Sequence, residues 1–105
     1  MKVLWTQFAV SSLQSIYNYY QTNVSHSIAE KICSSILNGS RQLQKYPYSG
    51  STEPFLMELG ENHRYILRGN YKIIYRISNS KVYITDVFDT RQDPGNLKKR
   101  TRNIV

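Results

Sequence analysis

The stretch RYILRGNYKIIYRI, residues 64–77, decides how this chain folds. Two β-branched and aromatic runs flank Gly69-Asn70, the pattern of a β-hairpin. The hairpin carries Arg64, Arg68, Lys72 and Arg76 and no acidic residue. Side chains alternate across a sheet, so the register decides which cations share a face. A two-residue loop at Gly69-Asn70 would pair Arg68 with Tyr71 and Leu67 with Lys72, mixing cations and apolar groups on both faces. A three-residue loop, Arg68-Gly69-Asn70, pairs Leu67 with Tyr71, Tyr65 with Ile73 and His63 with Tyr75, leaving one face apolar and the other cationic. Burying a charge without a partner costs more than any turn preference, so this reading predicts the three-residue loop. Tyr65, Leu67, Tyr71, Ile73 and Tyr75 are then expected beneath helices, with Arg64, Lys72 and Arg76 lining an open face.

Upstream of the hairpin, KVLWT (2–6) reads as a short strand ending at Thr6, a helix N-cap. Ala9, Leu13, Ile16, Tyr17, Tyr20 and Val24 recur at helical spacing, predicting an amphipathic helix over roughly 7–22. A second helix starts at SHSIAE, capped by Ser25 or Ser27, and runs to about Lys45, before Pro47. PYSGSTEP (47–54) is loop by composition. FLMEL (55–59), HRYILR (63–68), YKIIYRI (71–77) and KVYITDVFD (81–89) follow as strands of an antiparallel meander. The fold class is α+β, in the order β-αα-ββββ, with a two-helix hairpin packed on one face of an antiparallel sheet.

The 105 residues suit one domain, 1–105, with a basic tail over about 96–105. All the excess charge lies late in the chain. Residues 1–61 hold four Lys/Arg against four acids, whereas residues 62–105 hold ten against three. That asymmetry points to an anionic partner. The lone Cys33 allows no internal disulfide, no apolar run approaches the ~18 residues of a membrane span, and the N-terminus does not resemble a signal peptide. A cytoplasmic protein with no membrane partner is expected.

Few residues suggest chemistry. Cys33 lies on the apolar stripe of the second helix, as a small core residue would. His63 and His26 stand far apart with no cysteine pair, so neither a metal nor another cofactor is expected. Gly69 reads as the hairpin's turn glycine, and Trp5 as core. Asp86 and Asp89, in the last strand, are placed to orient Arg76 or Arg91. The tail residues Lys98, Lys99, Arg100 and Arg102 suit a solvated end or a gripping arm; the segment fits a helix, a disordered end or one that orders on binding.

WTQFAVSSLQSIYNYY, KYPYSG, HRYILRGNYKIIYRI and VFDTRQDP run in an order that resembles the RelE/ParE toxins of bacterial type II toxin–antitoxin (plasmid stabilisation) systems. The resemblance covers nearly the whole chain and implies a compact sheet fold, a cognate antitoxin, a toxin–antitoxin hetero-oligomer and growth inhibition by the free toxin. RelE-like members cut mRNA on the ribosome with a basic cluster and often a tyrosine near the C-terminus; ParE-like members poison DNA gyrase and lack that cluster. The nuclease positions fall here at Arg64, Ile66, Lys72, Arg91 and Leu97. Charge is kept at three of them and lost at Ile66, and Leu97 can neither move a proton nor orient a 2′-hydroxyl. The resemblance is therefore closer to the ParE-like branch. It implies a non-catalytic gyrase poison whose target-binding residues are Arg64, Arg68, Lys72, Arg76, Arg91, Lys98, Lys99 and Arg100. The alternative is a ribosome-dependent mRNA endoribonuclease in which Arg64, Lys72 and Arg91 stabilise the transition-state charge.

Overall fold

The computed structural model describes residues 1–102. Strand β1 (Lys2–Trp5) leads through Thr6 into α1 (Gln7–Asn23). The Thr6 side chain caps this helix by accepting from Ala9 N. Helix α2 (His26–Lys45) follows after Val24-Ser25, with Ser25 accepting from Ile28 N. Of the two candidate caps, Ser25 does the work; Glu30 reaches His26 instead of closing a capping box with Ser27.

The four strands after the helices are β2 (Ser51–Thr52), β3 (Arg64–Arg68), β4 (Tyr71–Ser78) and β5 (Lys81–Asp89), and the described chain ends in α3 (Gly95–Arg102). The sheet order is β1-β5-β4-β3-β2. It is antiparallel except at one edge, where β1 runs parallel to β5. The α+β order β-αα-ββββ stands, with a different second strand. FLMEL is not a strand: Pro54–Leu59 forms a 3₁₀ turn, with the Glu53 side chain accepting from Phe55 N. Its residues are mostly unbranched helix formers, and Pro54 suits a first helical turn. The strand that replaces it, β2, is two polar residues held at the edge by Arg64 and Tyr65, and carries no propensity signal of its own.

The hairpin register is the principal correction. Arg68 pairs with Tyr71, Leu67 with Lys72, Ile66 with Ile73 and Arg64 with Tyr75, so the loop is the two-residue Gly69-Asn70. Gly69 has φ +57°, which suits the first position of such a loop. The three-residue loop rested on one buried face and one open face, but the sheet is covered on both. On the helical face, Ile36 and Leu43 of α2 pack with Tyr71, Ile73 and Tyr75 of β4 and Val82, Ile84 and Val87 of β5. On the other face Ile74, Phe88, Leu56 of the 3₁₀ turn and Leu97 of α3 form a smaller core, with Tyr65 against it. Tyr65 thus packs away from the helical hairpin, and Leu67 is 52% exposed.

A bulge shifts the alternation of β5, so that Val87 joins Val82 and Ile84 in the helical core while Phe88 enters the smaller one. Ile74 faces Asp86 while Tyr75 faces Ile84, leaving Thr85 as the extra residue. The bulge falls where β1 ends, since β1 pairs with β5 only as far as Ile84. Beyond it the Asp86 carboxylate accepts from Val87 N, 2.8 Å away, supplying an acceptor where the edge has no neighbouring strand.

Candidate functional site

The hairpin's cations divide between the faces of the sheet. Arg68 lies on the helical side, donating to Gln42 Oε1 and to the Leu67 carbonyl. It passes Gly39 of α2 so closely that a Cβ there would stand 2.9 Å from its side chain. Arg64 donates to the Gly50 carbonyl and stacks on Tyr48, 5.3 Å from the ring centroid. Lys72 lies on the opposite face, 2.7 Å from Glu53 Oε1 and over the Tyr65 ring. Arg76 pairs with Glu61. The expected open face lined by Arg64, Lys72 and Arg76 is therefore not formed. The acids missing from residues 64–77 are supplied by Glu53 and Glu61, from the segment just before the hairpin.

A second cationic group forms at the C-terminal end. Arg91 clamps Asp89 with Nε and Nη2, both at 2.9 Å, and Nη2 also reaches the Tyr20 hydroxyl at 3.1 Å. This grip holds the Asp89 carboxyl below the usual carboxylate range. Tyr20 accepts from both Tyr71 and Arg91, which lowers its pKa, while burial and the bond to Tyr20 raise that of Tyr71. Of the sequence-based pairings, Asp89 with Arg91 is present, but Asp86 takes Arg100 in place of Arg76.

Arg100 donates to both Asp86 oxygens and to Ser12 Oγ, and its guanidinium lies over Phe8. Lys98 pairs with Glu58. Lys99 is exposed and makes no hydrogen bond or ion pair among the described residues. The tail is thus helical through Arg102 and anchored by Leu97, which is 1% exposed. The part of it at residues 103–105 lies outside the described residues.

The nuclease trio does not converge. Arg64 goes to Gly50 and Tyr48, Lys72 to Glu53 on the other face, and Arg91 to Asp89 and Tyr20 beside α1. Ile66 joins the helical core and Leu97 the smaller one. His63 is buried with Nδ1 unbonded, and burial lowers its pKa. Arg64 stands opposite Tyr75, so His63 does not take the place beside Tyr75 that the three-residue loop would give it, and the charges acting on it are those of Glu61, Arg76 and Glu53. Cys33 is buried on α2, and burial raises its thiol pKa. Sequence reasoning missed Glu53, Glu61, Ser12 and Tyr20. No local pattern links Ser12 to Arg100, 88 residues away.

Among the described residues, no cluster of His, Cys, Asp or Glu is arranged to hold a metal ion, and no helix is long and apolar enough to cross a membrane. No curated protein matches the chain at the significance required. A solved structure described as the chromosomal ParDE toxin–antitoxin system from P. aeruginosa is similar at a TM-score of 0.71 and 22% identity, covering 85% of this chain and 95% of that one. The family model for the ParE toxin of the type II toxin–antitoxin system parDE matches residues 3–94, and the chain belongs to that toxin family.

Proposed function

We propose that this ParE-family toxin arrests growth by binding DNA gyrase without catalysing a reaction, and that a cognate antitoxin neutralises it in a cytoplasmic hetero-oligomer. The observation that carries the reading is Leu97. The position where the ribonuclease pattern needs a proton-handling tyrosine holds a leucine sealed in a core with Leu56, Ile74 and Phe88. The dispersal of Arg64, Lys72 and Arg91 supports the same reading, because charge stabilisation of a phosphorane requires donors converging on one point. Target contact is assigned first to the C-terminal group, Arg91, Lys98, Lys99 and Arg100, and then to the rims of the hairpin at Arg64, Arg68, Lys72 and Arg76.

A supercoiling and DNA-cleavage assay with purified gyrase and antitoxin-free protein tests this. Inhibition with trapped double-strand breaks, lost in Arg91→Ala, is the expected result. No effect at a large excess of folded protein, with mRNA breaks appearing on translating ribosomes, would replace it with the endoribonuclease.

A further inference from the structure

On the side of the bulge where β1 pairs with β5, the sheet face turned away from the helical hairpin is open. Val3, Trp5, Val82, Tyr75 and Ile77 enter the helical core, so alternation turns their neighbours Lys2, Leu4, Lys81, Tyr83, Arg76 and Ser78 to the other side. The 3₁₀ turn and α3 cover that side beyond the bulge, over Ile74 and Phe88. Lys2 and Lys81 are exposed, and the other four are partly exposed. Strand pairing sets the six in two rungs, Lys2-Lys81-Ser78 and Leu4-Tyr83-Arg76. With strands ~4.8 Å apart and rungs about 7 Å apart, they form a flat patch roughly 10 Å wide.

The patch carries cations that the fold leaves unanswered. Lys2 and Lys81 are register partners, and like charges set directly opposite destabilise a sheet. A lysine on an edge strand such as β1 discourages pairing with other chains, but β5 is an inner strand, and Lys81 has no such use there. Neither lysine makes a hydrogen bond or ion pair among the described residues. Of the seven acidic residues, Glu61 answers Arg76 at 3.1 Å. The other six are taken up by His26, Lys72, Lys98, Arg100 and Arg91, and by the backbone at Gly95. Tyr83 stands between Leu4 and Arg76 in its rung, and its hydroxyl makes no hydrogen bond among the described residues.

The residue types separate the possible anions. Carboxylates are gripped best by the fork of a free guanidinium, whereas the free cations here are lysines, point charges that suit phosphate. A membrane surface calls for protruding apolar side chains among the cations, but Leu4 and Tyr83 are set into the sheet. Duplex DNA is read by an element that enters a groove, which a flat sheet face does not do. An unpaired base needs a flat aromatic platform with cations beside it for the neighbouring phosphates.

We propose that this face binds a single-stranded nucleic-acid segment, one base resting on Tyr83 and the adjoining phosphates on Lys2 and Lys81. The proposal goes beyond the gyrase reading. Lys2, Lys81 and Tyr83 lie outside the groups assigned to the target above, and the test contains no gyrase, so the two fail separately.

The probe is a fluorescein-labelled strand of about twelve thymidines, titrated with the full chain and followed by anisotropy. Lys2→Gln combined with Lys81→Gln is expected to weaken binding about tenfold or more. It should also flatten the dependence of log K on log salt by about 1.4, since each phosphate neutralised on a single strand contributes about 0.7. Tyr83→Leu is expected to weaken binding about tenfold with the salt dependence kept. Lys31→Gln, which removes an exposed charge on α2, should bind as the wild type does. Lys2 and Lys81 are exposed, so the double variant should keep its thermal unfolding midpoint. No binding by the wild type at low salt, or unaltered binding by the folded double variant or a folded Tyr83→Leu chain, would overturn the proposal. So would a loss in Lys31→Gln as large as in the double variant, or a duplex of the same strand binding as tightly. Attachment to phosphatidylserine vesicles that the double variant loses, without oligonucleotide binding, would overturn it as well and make the ligand a lipid headgroup.

Discussion

Arg100 grips Asp86 at two points, Nε to one carboxylate oxygen and Nη2 to the other, each at 2.8 Å. Asp86 is fully buried, whereas the Arg100 side chain is 32% exposed. The pair ties α3 to β5 across the open end of the sheet.

Removing the cation leaves a buried carboxylate with only Ser12 and a backbone N–H. Arg100→Ala is therefore expected to cost about 3–5 kcal/mol. Arg100→Lys keeps the charge but loses the two-point grip, and should fall between the two. Urea unfolding at neutral pH measures both. A loss near zero for Arg100→Ala would mean that Leu97 alone holds the helix.

Leu97 separates packing from catalysis. Leu97→Ala should destabilise by about 2–5 kcal/mol through the cavity it leaves. Leu97→Tyr should overpack the site and cost about 1–3 kcal/mol. Neither should create RNA cleavage. A folded Leu97→Tyr chain that cuts mRNA on ribosomes would show that only this hydroxyl was missing.

Gly50 and Tyr75 form the anchor beneath the residues linking α2 to β2. The Tyr75 hydroxyl donates to the Pro47 carbonyl at 2.8 Å and accepts from Gly50 N at 3.0 Å. A Cβ on Gly50 would stand 2.5 Å from that hydroxyl and 2.6 Å from the Tyr65 carbonyl. Gly50→Ala must therefore displace backbone, and it should lower the thermal midpoint more than Tyr75→Phe. The latter leaves buried groups unsatisfied, at about 1–3 kcal/mol.

His63 makes stability depend on pH. Burial holds its folded pKa below the ordinary value of 6.5. Between the folded and unfolded values the unfolded chain binds the extra proton, so stability rises with pH in that window. The stabilisation is fully present above about pH 6.5 and falls as the solution is acidified, by at most ~1.4 kcal/mol per pH unit. Asp89, whose folded pKa is lowered by Arg91, loses its contribution only in more acidic solution, below its ordinary value of 3.8. Urea midpoints compared at pH 7 and pH 5 for the wild type and His63→Phe check this. An unchanged slope in the variant would assign the dependence to another group.

The elements read most directly from sequence were those with strong local signals. The stripe from Ala9 to Tyr20, the cap at Thr6 and the stop before Pro47 place the helices to within a residue or two. KVYITDVFD is a strand over its full length. FLMEL failed because a five-residue apolar run does not distinguish a strand from a short helical turn. Pro54 and the unbranched side chains were the available signal.

What the sequence determined by itself is the two helices, the strands around Gly69 and after it, and the toxin family, all carried by neighbours along the chain. The tertiary structure decided which charges are free. Covering the sheet on both sides removed the premise of a cationic open face. Glu53, 19 residues from Lys72, and Asp86, 14 from Arg100, then supplied counter-charges that no local pattern announces. A charge's partner is set by proximity in space, and a hairpin without acids can still be neutralised by carboxylates folded against it.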